Sequence, residues 1–182
     1  MLERIEFYNC PDGSVNVKPF DEPLFVYDMS CRHITEEMIV YIRDLYPEAF
    51  KALSELYSRS ERNKEYFEYK IVHRFIRCNF GEYDALTYDI NSIGQWNIEE
   101  VKCPMRGECL HEGVICKPTL LTKLSPRESE VAQLIAMGMS RQEVAEELTL
   151  SICTVNRHIA NIKVRMHFRH TNQIIAHFNG KN

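Results

Sequence analysis

Two copies of one short pattern, Ser125-Pro126-Arg127-Glu128 and Ser140-Arg141-Gln142-Glu143, constrain this chain more than any other stretch. In each, a serine precedes a glutamate by three positions, the spacing at which the two side chains satisfy each other's free backbone N–H groups at a helix start. Pro126 falls at the first helical position, where its missing N–H costs nothing. Val131, Leu134 and Ile135 recur on one stripe, and Gly138 supplies the left-handed residue that ends a helix. The second helix is expected to end near Leu148, and Ser151 to cap a third after a turn of about three residues. Two helices joined that tightly form a helix-turn-helix.

The third helix carries the functional argument. At about 100° per residue, Val155, Ile159, Ile162 and Met166 fall on one apolar stripe that must face the other helices. Cys153, Arg157, Ala160 and Val164 then turn outward, with Asn156 and Asn161 on the flanks. A face of small residues with Arg and Asn suits a major groove, where Arg matches guanine and Asn matches adenine. Asn156, Arg157 and, by proximity, Ala160 are the candidate base readers, and flanking Asn161 joins the DNA-binding set. Arg141, Ser151, Thr154, Lys163 and Arg165 lie at helix starts or at the rim, as phosphate contacts should. His158 is read first as a half-buried packing residue and second as a phosphate contact. The plain alternative, a surface helix with ordinary polar residues, does not explain the two capped helices in front of it.

These motifs give a resemblance. L-S-P-R-E-x-E-V from Leu124, G-M-S-R-Q-E-V-A-E-E-L from Gly138 and S-x-x-T-V-N-R-H-I-x-N-I from Ser151 make residues 122–178 similar to the LuxR-type (GerE-like) helix-turn-helix. The resemblance implies a four-helix DNA-binding module acting on double-stranded DNA, in a transcriptional regulator. It also implies a last helix that commonly dimerises. Ile174, Ile175 and Phe178 there exceed what a short terminal helix needs to cover its own module, although all three would equally complete its core. Asn156 stands where the family usually has Lys, Cys153 where a polar residue is common, and Thr171 where an Arg often precedes the last helix. A relative's target sequence is therefore not carried over.

Charge divides the chain in the same place. Residues 121–182 hold eight Lys and Arg against five Glu, and the preceding 120 hold 14 basic against 21 acidic residues, so a net charge of −4 conceals a basic C-terminal end. The basic end is the nucleic-acid end. With 45% hydrophobic and 26% charged residues the composition is that of a soluble globular protein. No apolar run approaches the roughly 18 residues of a membrane span. The opening residues carry acids and no apolar core, so no secretory signal is expected and the location expected is cytoplasmic.

Residues 1–119 read as a separate α+β domain and 120–182 as the DNA-binding domain. Ile5 and Phe7 alternate, Cys10-Pro11-Asp12-Gly13-Ser14 supplies a turn, Val15 and Val17 alternate again, and Leu24 to Tyr27 offer a third strand. Helices are expected from about Thr35, with Met38, Ile39, Ile42 and Leu45 inward, and from Pro47, with Phe50, Leu53 and Leu56 inward. A longer one should run from about Ser60 to Cys78 on Phe67, Ile71 and Phe75, its basic face of Lys70, His73, Arg74 and Arg77 being solvated. Gly81 stops it. From Asn79 to Pro118 periodicity fades, which is long for a loop in a compact domain unless something else holds it.

A metal would hold it. Cys103, Cys109 and Cys116 crowd into fourteen residues, and Cys78 at a helix end offers a fourth thiol. Seven cysteines without an export signal do not suggest a disulfide framework, because the cytosol keeps thiols reduced. Four thiolates in tetrahedral array form a structural zinc site; the same ligands suit an iron–sulfur cluster, and ordinary buried or free thiols are the third reading. His111 and His73 are reserve ligands.

No phosphate-binding glycine loop, dinucleotide fingerprint, H-E-x-x-H or G-x-S-x-G occurs, and four Cys leave a zinc neither an open position nor a base, so an enzyme is not expected. The fold class is mainly α: a small β element with helices and a Cys-rich loop, followed by the four-helix module. Two rival functions stay open. One is a small extracytoplasmic-type sigma factor, for which RNA polymerase would be the partner; the other is a metal- or redox-sensing protein with a DNA-binding module.

Overall fold

The computed structural model describes residues 2–82, 87–92 and 94–179. The chain divides into two units, Met1–Thr119 and Leu120–Asn182.

In the first unit β1 (Ile5–Asn9), β2 (Val15–Pro19) and β3 (Phe25–Val26) form an antiparallel sheet in the order β1-β2-β3. The register pairs Phe7 with Val17 and Asn9 with Val15, so the apolar members of each alternation share one buried face. Three helices follow, α1 (Arg32–Leu45), α2 (Pro47–Leu56) and α3 (Lys64–Asn79), with a 3₁₀ turn at Ser58–Ser60. α1 packs on α2 and α3, and α3 lies against β2. Ile34, Met38, Ile42 and Leu45 of α1 meet Ile71, Val72, Phe75 and Ile76 of α3 in a core closed by Phe7, Phe80 and Trp96.

Three details depart from the sequence expectations. α1 begins at Arg32, a turn earlier than Thr35, because buried Thr35 is spent on a hydroxyl contact with Tyr27, 2.7 Å, rather than on a cap. α3 begins at Lys64, not near Ser60, where the Asn63 side chain accepts from the Tyr66 N–H. Leu56 is exposed, the inward positions of α2 being Ala49 and Leu53.

α3 ends where Gly81 takes φ +99°, and a Cβ there would lie 2.6 Å from the Asn9 carboxamide. That carboxamide donates to the Phe80 and Arg77 carbonyls, tying β1 to the helix end. Beyond Gly81 the described chain carries only isolated bridges, Ile5 to Ile90 and Ile90 to Trp96, and then consecutive turns from Cys103 to Cys116.

The second unit consists of α4 (Pro126–Ala136), α5 (Arg141–Glu147), α6 (Ile152–Arg165) and α7 (Thr171–Asn179). Both reciprocal caps are formed, at Ser125 with Glu128 and at Ser140 with Glu143. α4, α5 and α6 all end the same way. The residue after the cap turns left-handed, donates to the carbonyl three residues back, and its successor donates five back. Gly138 fills that position after α4 at φ +89°, but Thr149 after α5 and His167 after α6 adopt it at φ +53° and +55° with side chains that disfavour it. Among the described residues no helix is long and apolar enough to cross a membrane.

Candidate functional site

α6 is fixed from beneath. Val155, Ile159 and Ile162 are buried with Val131, Ala132 and Ile135 of α4, Val144 and Ala145 of α5, and Ile174 of α7, and Met166 packs on the margin. Burying that stripe sets the rotation of the helix: Cys153 and Arg157 are exposed, and Asn156, Ala160 and Val164 half-exposed. At the start of α6, Ser151 Oγ accepts from the Thr154 N–H at 3.1 Å and lies 2.8 Å from its hydroxyl. His158 is half-buried.

Arg141, on the first turn of α5, donates from its guanidinium to Asn156 Oδ1 at 3.0 Å. Its charge also reaches Lys163: burial first, and then Arg141, hold the Lys163 ammonium below the ordinary lysine range. Two cations set close on adjoining helices are at lowest energy with an anion near them.

Two residues of the expected DNA face are elsewhere. Asn161 is 1% exposed and Arg165 4% exposed, both inside the module. Arg165 Nε lies 3.4 Å from Glu128 Oε1, and its Nη1 donates to the Lys123 carbonyl at 2.7 Å. A basic residue in the last turn reads as a rim residue only if no buried acid waits for it; Glu128, legible from the sequence as a cap, serves both ends of the module at once. Sequence reasoning also passed over Arg127, which closes the end of α5 through the Leu148 carbonyl at 2.6 Å.

A helix held at this angle of rotation, entered by a short turn from a capped partner and presenting Arg and Asn, defines a helix-turn-helix DNA-binding module. Residues 122–178 match the family model described as bacterial regulatory proteins, luxR family, and this C-terminal third is a LuxR-type domain of a DNA-binding regulator. That family is a regulatory DNA-binding family, not an enzyme family. No curated protein matches the chain, and no solved structure does.

The first unit brings the four cysteines of its Cys-rich region together. Cys78, Cys103, Cys109 and Cys116 line one cavity of about 30 Å³, with Arg74, Arg106 and His111 also in its wall. Burial pushes the Cys78 thiol up to about 11, and the other three thiols lie near enough to add to that shift. His73 is not part of this wall; its ring packs on Tyr69 at 5.4 Å and Tyr27 at 6.2 Å. Asn79, fully buried at the end of α3, had no sequence signal, yet it fixes the geometry. Its Nδ2 donates to the Ile115 carbonyl at 2.8 Å and its Oδ1 accepts from the Lys117 N–H at 3.0 Å, which brings Cys116 back beside Cys78.

Proposed function

We propose that the protein regulates transcription by binding double-stranded DNA sequence-specifically, with α6 in the major groove. The observation that carries this reading is the burial of Val155, Ile159 and Ile162, which leaves Arg157 exposed and Asn156 and Ala160 at its side. Arg157 and Asn156 read base edges, and Arg141 orients the Asn156 carboxamide. Arg141 and Lys163 form a cationic pair for one phosphate, while the start of α6, with Ser151 and Thr154, offers backbone N–H groups and hydroxyls to another.

A second copy completes the reading of a two-fold site. Ile174 is spent on the core, and Ile175 and Phe178, packed against it but not covered, are what α7 has left for a partner. Sedimentation at rising concentration tests that part.

The experiment for the whole is selection of bound duplexes from a random pool, followed by anisotropy titration of the selected sequence and its single-base variants. The wild-type protein should enrich a definite sequence. Arg157→Ala should cost about 1–3 kcal/mol and relax preference at one base pair. Equal weakening on every sequence would mean that Arg157 holds phosphate and that α6 lies differently in the groove.

A further inference from the structure

The turns between Cys103 and Cys116 have almost no apolar core of their own. Ile115 is their one buried side chain, while Leu110 is 95% exposed and Met105 50%. A segment of this kind orders only if something other than hydrophobic burial offsets its entropy. The structure shows where that something would sit. α3 delivers Cys78, the Asn79 side chain ties Ile115 and Lys117 back to the helix end, and successive turns bring Cys103 and Cys109 to the same cavity wall.

We propose that Cys78, Cys103, Cys109 and Cys116 hold a thiophilic metal centre through four thiolates. The cavity, at about 30 Å³, has room for one ion of zinc's size. Zinc with sulfurs at about 2.3 Å draws all four within roughly 4 Å of one another, whereas an iron–sulfur cluster spreads its ligands further. Either centre is thiolate-bound, and binding releases the four thiol protons to solvent. Four thiolates around a divalent ion leave a charge of about −2; of the charged groups in the wall, Arg106 is paired with Glu100 at 2.9 Å and Glu112 is acidic, so Arg74 is the cation placed to offset part of it. The Gly113 N–H already points at Cys116 Sγ, 3.4 Å away, as backbone donors do toward ligand sulfur. The three remaining thiols are not in this wall: Cys10 Sγ accepts from the Asn16 carboxamide, Cys31 is buried with its thiol toward the Val26 carbonyl, and Cys153 is exposed on α6. This inference is independent of the DNA-binding reading.

The test uses the full chain without a histidine tag, purified anaerobically and free of chelator, with elemental analysis and an absorption spectrum on one sample. Zinc in a colourless protein, or iron with acid-labile sulfide and broad visible absorption, supports the site and names its occupant. Serine at any of the four positions should weaken metal retention against a competing chelator at least about tenfold, and Cys10→Ser and Cys153→Ser should not change it. Should the four variants fold poorly, thiol titration of the native wild type replaces them: Cys78, Cys103, Cys109 and Cys116 should become reactive only when the metal is stripped, while buried Cys31 stays unreactive with or without it. Metal retained in full by Cys109→Ser overturns the assignment. So does a protein that holds no metal as purified, takes up neither zinc nor iron with sulfide, and shows the four thiols reactive in the native state.

Discussion

Arg165 at the end of α6 and Glu128 at the start of α4 form a buried ion pair, with Nε 3.4 Å from Oε1. The other carboxylate oxygen accepts from the Ser125 N–H at 2.8 Å, so one side chain caps α4 and anchors α6. Removing one member of such a pair strands a charge in the interior. Arg165→Met should destabilise the domain by about 3–5 kcal/mol, and adding Glu128→Gln should recover part of that loss while keeping the cap. Urea unfolding followed by circular dichroism checks it. A loss below about 1 kcal/mol would mean that the pair is solvated.

Thr149 connects α5 to the recognition helix with a β-branched side chain at φ +53°. Its N–H donates to the Glu146 carbonyl at 3.2 Å, and the Leu150 N–H donates to Ala145 at 2.8 Å, so the strained position is required by the turn. Thr149→Gly should raise stability by about 1 kcal/mol, relief of left-handed strain outweighing glycine's greater entropy. The melting temperature reads the sign, and a fall would show that the Thr149 side chain contributes more than its backbone costs.

Lys163 and Arg141 share one side of the module, and Arg141's charge, after burial, depresses the lysine's affinity for its proton. A phosphate between them would remove that repulsion. Lys163→Ala should therefore shallow the salt dependence of DNA affinity by about one unit of log–log slope and leave the ranking of target sequences intact. A changed ranking with an unchanged slope would place Lys163 on base edges.

His73 should make the first unit acid-sensitive. Burial first, and then Arg77, Lys70 and Arg74, hold its imidazole down to about 4, against 6.5 for the exposed group. Above pH 6.5 the ring is neutral in both states. Between 6.5 and about 4 the unfolded chain takes up a proton that the folded chain refuses, so stability falls as the pH drops through that window. His73→Phe, which keeps a ring against Tyr27 and Tyr69, should flatten the slope there. The single tryptophan, Trp96, lies in this unit's core and reports its unfolding. An unchanged slope in the variant would assign the acid sensitivity to other groups.

What the sequence determined by itself was whatever depends on neighbours along the chain. Ser125 with Glu128 and Ser140 with Glu143 each close a cap within four residues, and the alternation at Val15 and Val17 fixes which face of β2 is buried, whereas in β1 Glu6 is buried along with Ile5 and Phe7. The stripe Val155, Ile159, Ile162 likewise sets the rotation of α6, because helical spacing is local geometry. Only the tertiary structure decided where side chains with two chemically valid destinations go. Arg165 reads from its place in the last turn as a rim cation, and the pairing with Glu128, 37 positions upstream, draws it inside instead. Asn161 sits one position from the apolar stripe and is covered by the packing of the other helices, not by its own. Cys78 and Cys116 lie far apart in sequence and line one cavity because the Asn79 carboxamide has both its ends satisfied by the loop that carries Cys116. A buried polar group takes whichever partner the fold brings within hydrogen-bonding distance, and sequence spacing carries no record of that distance.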